Sequence, residues 1–86
     1  MNPQRQLLVR LTLLKILDEC NGYLLPDIQL FAQLNIEVRP PVTISEFEAE
    51  LKFLDADKLI AGIRPDLGGP VKWKITDAGK LARLGA

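Results

Sequence analysis

The chain has no histidine and only one cysteine among its 86 residues. Without histidine it lacks the usual base of hydrolase triads and the commonest zinc ligand. Cys20 alone cannot form an intrachain disulfide. Its place on an apolar side of a helix reads as a small buried hydrophobe rather than a reactive thiol. Net charge is missing as well. The 11 basic and 11 acidic residues cancel, so binding to nucleic acid or to an anionic membrane needs a local patch. No apolar run reaches transmembrane length. Arg10 and Lys15 interrupt the N-terminal apolar stretch, which argues against a signal peptide. The expectation is a cytoplasmic protein without membrane contact. Neither a nucleophile–base pair nor a metal-ligand set stands out, so no enzyme activity, metal or cofactor is expected.

What is present is ordinary globular material. Hydrophobic residues make up 48% of the chain and charged residues 26%, enough for one modest core and one domain over residues 1–86. Residues 4–20 are leucine-rich, contain no Gly or Pro, and read as a helix, with Asn2 as N-cap and Pro3 at the first helical position. Its apolar positions fall in two rows. Val9, Leu13, Ile16, Leu17 and Cys20 can serve the core. Leu7, Leu11 and Leu14 form a second row, which predicts self-association through this helix.

Asn21-Gly22 ends the first helix, with Gly22 suited to a left-handed position. Tyr23 to Leu25 reads as a short strand. Pro26 to Leu34 reads as a second helix supplying Ile28, Phe31, Ala32 and Leu34 to the core. A turn containing Arg39-Pro40-Pro41 follows. Thr43-Ile44-Ser45-Glu46 matches a capping box, with Val42 and Phe47 placed for a hydrophobic staple. Ile44, Phe47, Leu51 and Leu54 then recur at helical spacing. Leu59 to Arg64 and Val71 to Ile75 read as two strands around a turn within Pro65 to Pro70. Val71, Trp73 and Ile75 alternate with Lys72 and Lys74, giving one packed and one wet face. Thr76 caps a last helix, Asp77 to Leu84, whose apolar face is Ala78, Leu81, Ala82 and Leu84.

Two phrases carry a family resemblance. LKFLDADKLI resembles the end of a recognition helix leading into a first wing strand, with Lys58 where glycine often stands. VKWKITDAGKLARL resembles a second wing strand running into a closing helix. There Trp73, Ile75, Thr76 and Gly79 meet the order aromatic-x-apolar-Thr-x-x-Gly. Together they cover roughly the last forty residues and resemble the winged-helix family of helix-turn-helix domains, of the small bacterial and phage regulator type. The resemblance implies a mainly α fold with a small β-hairpin: a three-helix core, a wing and a short C-terminal helix. It also implies a DNA-binding module, acting as a small homodimeric transcriptional regulator or accessory protein.

The charge pattern qualifies that expectation. The would-be recognition helix carries Glu46, Glu48, Glu50, Asp55 and Asp57 against one lysine, Lys52. Carboxylates two apart on a helix point in different directions, so they read as an acidic face and not a metal cluster. Only Glu46 has an evident structural role. The basic candidates for phosphate contact are Arg39, Lys52, Arg64, Lys72 and Lys74. They fit duplex DNA, or simply a solvated hairpin face. The outward side of the acidic helix carries Ser45, Ala49, Phe53 and Ala56. That composition suits a protein contact, and Ala49 and Phe53 are the candidates there. The competing expectation is therefore a winged-helix protein-interaction module. Trp73 is read as core, and Leu67-Gly68-Gly69-Pro70 as a turn rather than a phosphate loop.

Overall fold

A computed structural model describes residues 2–85. The chain forms four helices and three short strands: α1 (Pro3–Glu19), β1 (Leu25–Pro26), α2 (Asp27–Glu37), α3 (Ile44–Ala56), β2 (Ile60–Ile63), β3 (Lys72–Ile75) and α4 (Asp77–Leu84). The strands make one antiparallel sheet in the order β1-β3-β2. The domain is mainly α, with helices packed against one face of this small sheet. Phe47, Leu51, Leu54, Ile16 and Trp73 lie in a single core with Leu13, Leu17, Leu30 and Leu34.

Local signals set the helix boundaries. The Asn2 side chain accepts from the Arg5 amide at 2.8 Å, which caps α1. Asn21 and Gly22 both take positive φ after it, 52° and 85°. The first left-handed residue is therefore the asparagine, which tolerates that region because its short side chain bonds locally. At α3 the capping box closes both ways. The Thr43 hydroxyl accepts from the Glu46 amide at 3.2 Å, and the Glu46 carboxylate accepts from the Thr43 amide at 3.0 Å. Val42 and Phe47 are both buried beside it.

The end of α3 explains the lysine in the glycine position. Lys58 has φ 60°. The Leu59 amide donates to the Leu54 carbonyl at 2.9 Å and the Lys58 amide to the Asp55 carbonyl at 3.0 Å, a Schellman pair. Lys58 thus accepts a backbone conformation that glycine would take without strain.

Thr76 and Gly79 weld α4 to that junction. The Thr76 hydroxyl donates to the Lys58 carbonyl at 2.7 Å and accepts from the Gly79 amide at 3.1 Å. A Cβ at Gly79 would lie 2.1 Å from the Leu59 carbonyl oxygen. The helix can approach this closely only because that residue has no side chain.

Several expected core positions are corrected. Ile28 and Ala32 face outward. Leu30 and Leu34, one row four apart, take the inner side of α2, with Phe31 half-buried beside them. Ile44 is the first residue of α3 and stands at the edge of the core that Phe47, Leu51 and Leu54 occupy. In α4, Gly79 and Ala82 face the core, so Ala78, Leu81 and Leu84 are turned to solvent. β1 begins at Leu25 rather than Tyr23, and Pro26 is the N-cap of α2 rather than its first residue. Proline is tolerated there because β1 is an edge strand.

The α2–α3 turn is closed by side chains. Asn35 accepts from the Val42 amide at 2.8 Å and donates to its carbonyl at 3.2 Å. Arg5 donates to the carbonyls of Pro40 and Pro41 at 2.6 and 3.3 Å. Val38 and Val42 anchor the turn in the core from either side.

Candidate functional site

Three surfaces hold the candidate residues: the sheet and its connecting loop, the outward side of α3, and the N-terminal half of α1. The sheet is the simplest. Lys72 and Lys74 alternate with buried Trp73 and Ile75, so both lysines stand on its solvent face. Lys72 pairs across the ladder with Ile63, and Lys74 with Ala61. Arg64 follows β2 immediately and is exposed. Gly62 lies opposite Trp73 in the register. A Cβ there would sit 2.7 Å from the indole, so the missing side chain is what lets the ring cover that strand. The indole N–H also donates to the Asp27 carboxylate, which ties β3 to the start of α2.

Between α3 and the sheet lies a cleft of about 210 Å³. Lys52 and Arg64 line it with Asp27, Glu48 and Asp55, over a floor that includes Leu51 and Trp73. The cleft mixes both signs of charge and is no uniform phosphate cradle.

Use of charge elsewhere separates the basic residues into two groups. Arg10, Lys15 and Arg83 form ion pairs with Glu50, Glu37 and Asp18, and Arg5 is held on the proline turn. Lys15 is half-buried, and its hydrogen bond to Glu37, with that carboxylate's charge, holds its ammonium above the ordinary 10.5. Arg39, Lys52, Lys58, Arg64, Lys72, Lys74 and Lys80 are exposed and form no ion pair among the described residues. Arg39 stands apart, on the α2–α3 turn beside a cis peptide to Pro40.

The acidic face of α3 is smaller than the sequence implies. Glu50 is buried and its carboxylate accepts from the Arg10 Nε at 2.6 Å. It serves the α1–α3 packing and not an outward surface. Glu46 is engaged in the cap. The Thr43 amide bonded to its carboxylate holds it below the ordinary carboxylate value of 4.5. Glu48, Asp55 and Asp57 are the carboxylates of this region that stay exposed. Sequence reasoning missed Glu50 because its partner lies 40 residues away.

Among the protein-contact candidates, Ala49 is exposed and Phe53 is 41% exposed. Part of the Phe53 ring is covered by Arg10, whose guanidinium carbon stands 3.6 Å from the ring centroid. On α1, Leu7 is 55% exposed and Leu11 half-buried. Leu14 belongs instead to the chain's own core, at 2% exposure, because α1 is wrapped on more sides than two rows allow for. Leu8, absent from the expected row, is 51% exposed beside Leu7. Cys20 is half-buried at the core edge.

Among the described residues no cluster of three or more metal-ligating side chains occurs, and no helix is long and apolar enough to cross a membrane. No family model, curated protein or solved structure matches the chain.

Proposed function

We propose that the chain is a winged helix-turn-helix domain that holds duplex DNA mainly through its wing, as a small homodimeric regulator or accessory protein. The element order supports the fold reading: α2 and α3 form the helix pair, β2 and β3 the wing, and β1 pairs with the other side of β3. One observation carries the functional reading. The five basic side chains expected at phosphate are exposed and unpaired among the described residues, as are Lys58 and Lys80, while the four other basic residues are consumed in internal contacts. Burial of Glu50 and capping by Glu46 also remove two carboxylates from the electrostatic objection. Backbone contacts of this kind hold DNA without reading sequence.

The test is binding to random duplex over a salt titration. Three wing contacts, Arg64, Lys72 and Lys74, give a log–log slope of about −3. Absence of binding at low salt, where the electrostatic contribution is greatest, rejects the proposal.

A second reading is favoured by Glu48 and Asp55, which stay exposed in the cleft beside Lys52. In that reading α3 contacts a protein, with Ala49 and Phe53 in the interface. Phe53→Ala then abolishes partner capture, and wing substitutions leave it unchanged.

A further inference from the structure

The N-terminal turns of α2 and α3 enclose an open groove of about 370 Å³, lined by Asp27, Ile28, Phe31, Ile44, Phe47 and Glu48. Its walls are apolar. Ile28 and Ile44 stand 73% and 54% exposed over it. Its floor is firm, because Phe47 is buried and its ring meets Phe31 at a centroid distance of 5.0 Å, tilted by 49°. The charged residues on its lining are both carboxylates.

We infer that this groove is a docking site for a protein segment presenting a bulky apolar side chain next to a lysine or arginine. Charge complementarity selects that occupant. Ile28 and Ile44 lose water when an apolar side chain enters between them. The carboxylate of Glu48 then faces the occupant's cation, and Asp27 adds negative charge while it holds the Trp73 indole. The neighbouring cleft, where Asp55 follows Glu48, also holds Lys52 and Arg64, so the uniformly negative edge belongs to this groove alone. A nucleic-acid backbone is repelled by the same edge and gains little from two isoleucines. The site lies off the wing, so it stands independently of DNA binding. It rests on the second reading, in which α3 contacts a protein, but uses the side of α3 turned to α2 rather than Ala49 and Phe53, and names the chemistry of the partner. An amphipathic helix laid in the groove supplies both features from one face.

The experiment uses the full chain with isotope-labelled amides and two synthetic amphipathic helical peptides of equal leucine content. One carries a lysine polar face and the other a glutamate face. The leucine–lysine peptide shifts the amides of Ile28, Phe31, Ile44 and Phe47, and the leucine–glutamate peptide does not. Ile28→Asp, at an exposed position, keeps the fold and weakens binding by about tenfold or more. Glu48→Lys weakens it and flattens its salt dependence. The inference is overturned by equal binding of both peptides, by binding that Ile28→Asp leaves unchanged, or by shifts confined to Leu7 and Leu8. It is also overturned if sedimentation shows a dimer that Ile28→Asp dissociates, since a second copy is then the occupant. Random duplex titrated into the same sample reports on the amides of Lys72 and Lys74. Loss of peptide binding and loss of DNA binding are therefore read separately.

Discussion

Arg10 and Glu50 join α1 to α3 through a 2.6 Å ion pair, and the same guanidinium lies over the ring of Phe53. The pair is asymmetric. The side chain of Glu50 is 5% exposed and that of Arg10 is 25% exposed. Removing the arginine strands a buried carboxylate, whereas removing the carboxylate leaves a cation that water can reach. Arg10→Met is therefore expected to cost about 2–3 kcal/mol and Glu50→Gln about 1 kcal/mol. The double variant Arg10→Met, Glu50→Met should recover much of the loss. Denaturant midpoints at neutral pH check the order.

Lys58 and Gly79 predict opposite effects at one junction. Lys58→Gly relieves a left-handed residue at a strain of about 1–2 kcal/mol and gives back part of that in unfolded-chain entropy. A net gain of about 0.5–1 kcal/mol is expected. Gly79→Ala forces a Cβ against the Leu59 carbonyl and should cost about 3 kcal/mol or more, because backbone has to move. Thermal unfolding of both variants decides the matter, and a neutral Gly79→Ala would refute the close contact.

The capping box of α3 predicts a pH signature. The folded Glu46 value is lowered by the Thr43 amide hydrogen bond. Its stabilisation is present above the ordinary value of 4.5 and is lost as pH falls through the lowered folded value. Glu46→Gln should thus flatten the acid limb of the stability curve without moving the alkaline one. Thr43→Ala should cost about 1 kcal/mol at neutral pH.

If the β2–β3 hairpin holds DNA as proposed, neutralising Lys72 or Lys74 to Ala should weaken binding on every duplex sequence alike and reduce the salt slope by about 0.9. Glu48→Lys should strengthen non-specific binding if α3 lies near the backbone. An unchanged salt slope in both wing variants would count against the DNA reading.

On α1, the exposed leucines predict self-association at micromolar concentration, with Leu7→Asp or Leu8→Asp shifting the protein to monomer. Sedimentation velocity gives the answer. A wild-type monomer across that range ends the dimer proposal.

The sequence spelled out most element boundaries because they depend on chain neighbours. Asn2, Thr43 and Thr76 cap three helices from within three residues of the amides they serve. The alternation through Trp73 set the wet and dry faces of β3. Helix faces were less legible. Periodicity placed Ile28, Leu81 and Leu84 inward, yet all three are exposed, since spacing fixes which residues share a face but not which face meets the core. The candidate wing cations could be named from composition and strand alternation. The groove at Ile28 and Ile44 could not, because its walls come from two helices whose relative placement no local pattern encodes.

By itself, then, the sequence determined what short-range chemistry determines: the caps, the turns and the strand faces. The tertiary structure decided which charges are free. Glu50 and Asp18 look like surface carboxylates in the chain, but they are held by Arg10 and Arg83, 40 and 65 residues away. An ion pair depends on where two backbones are brought together in space, and only the packing of the helices sets that distance.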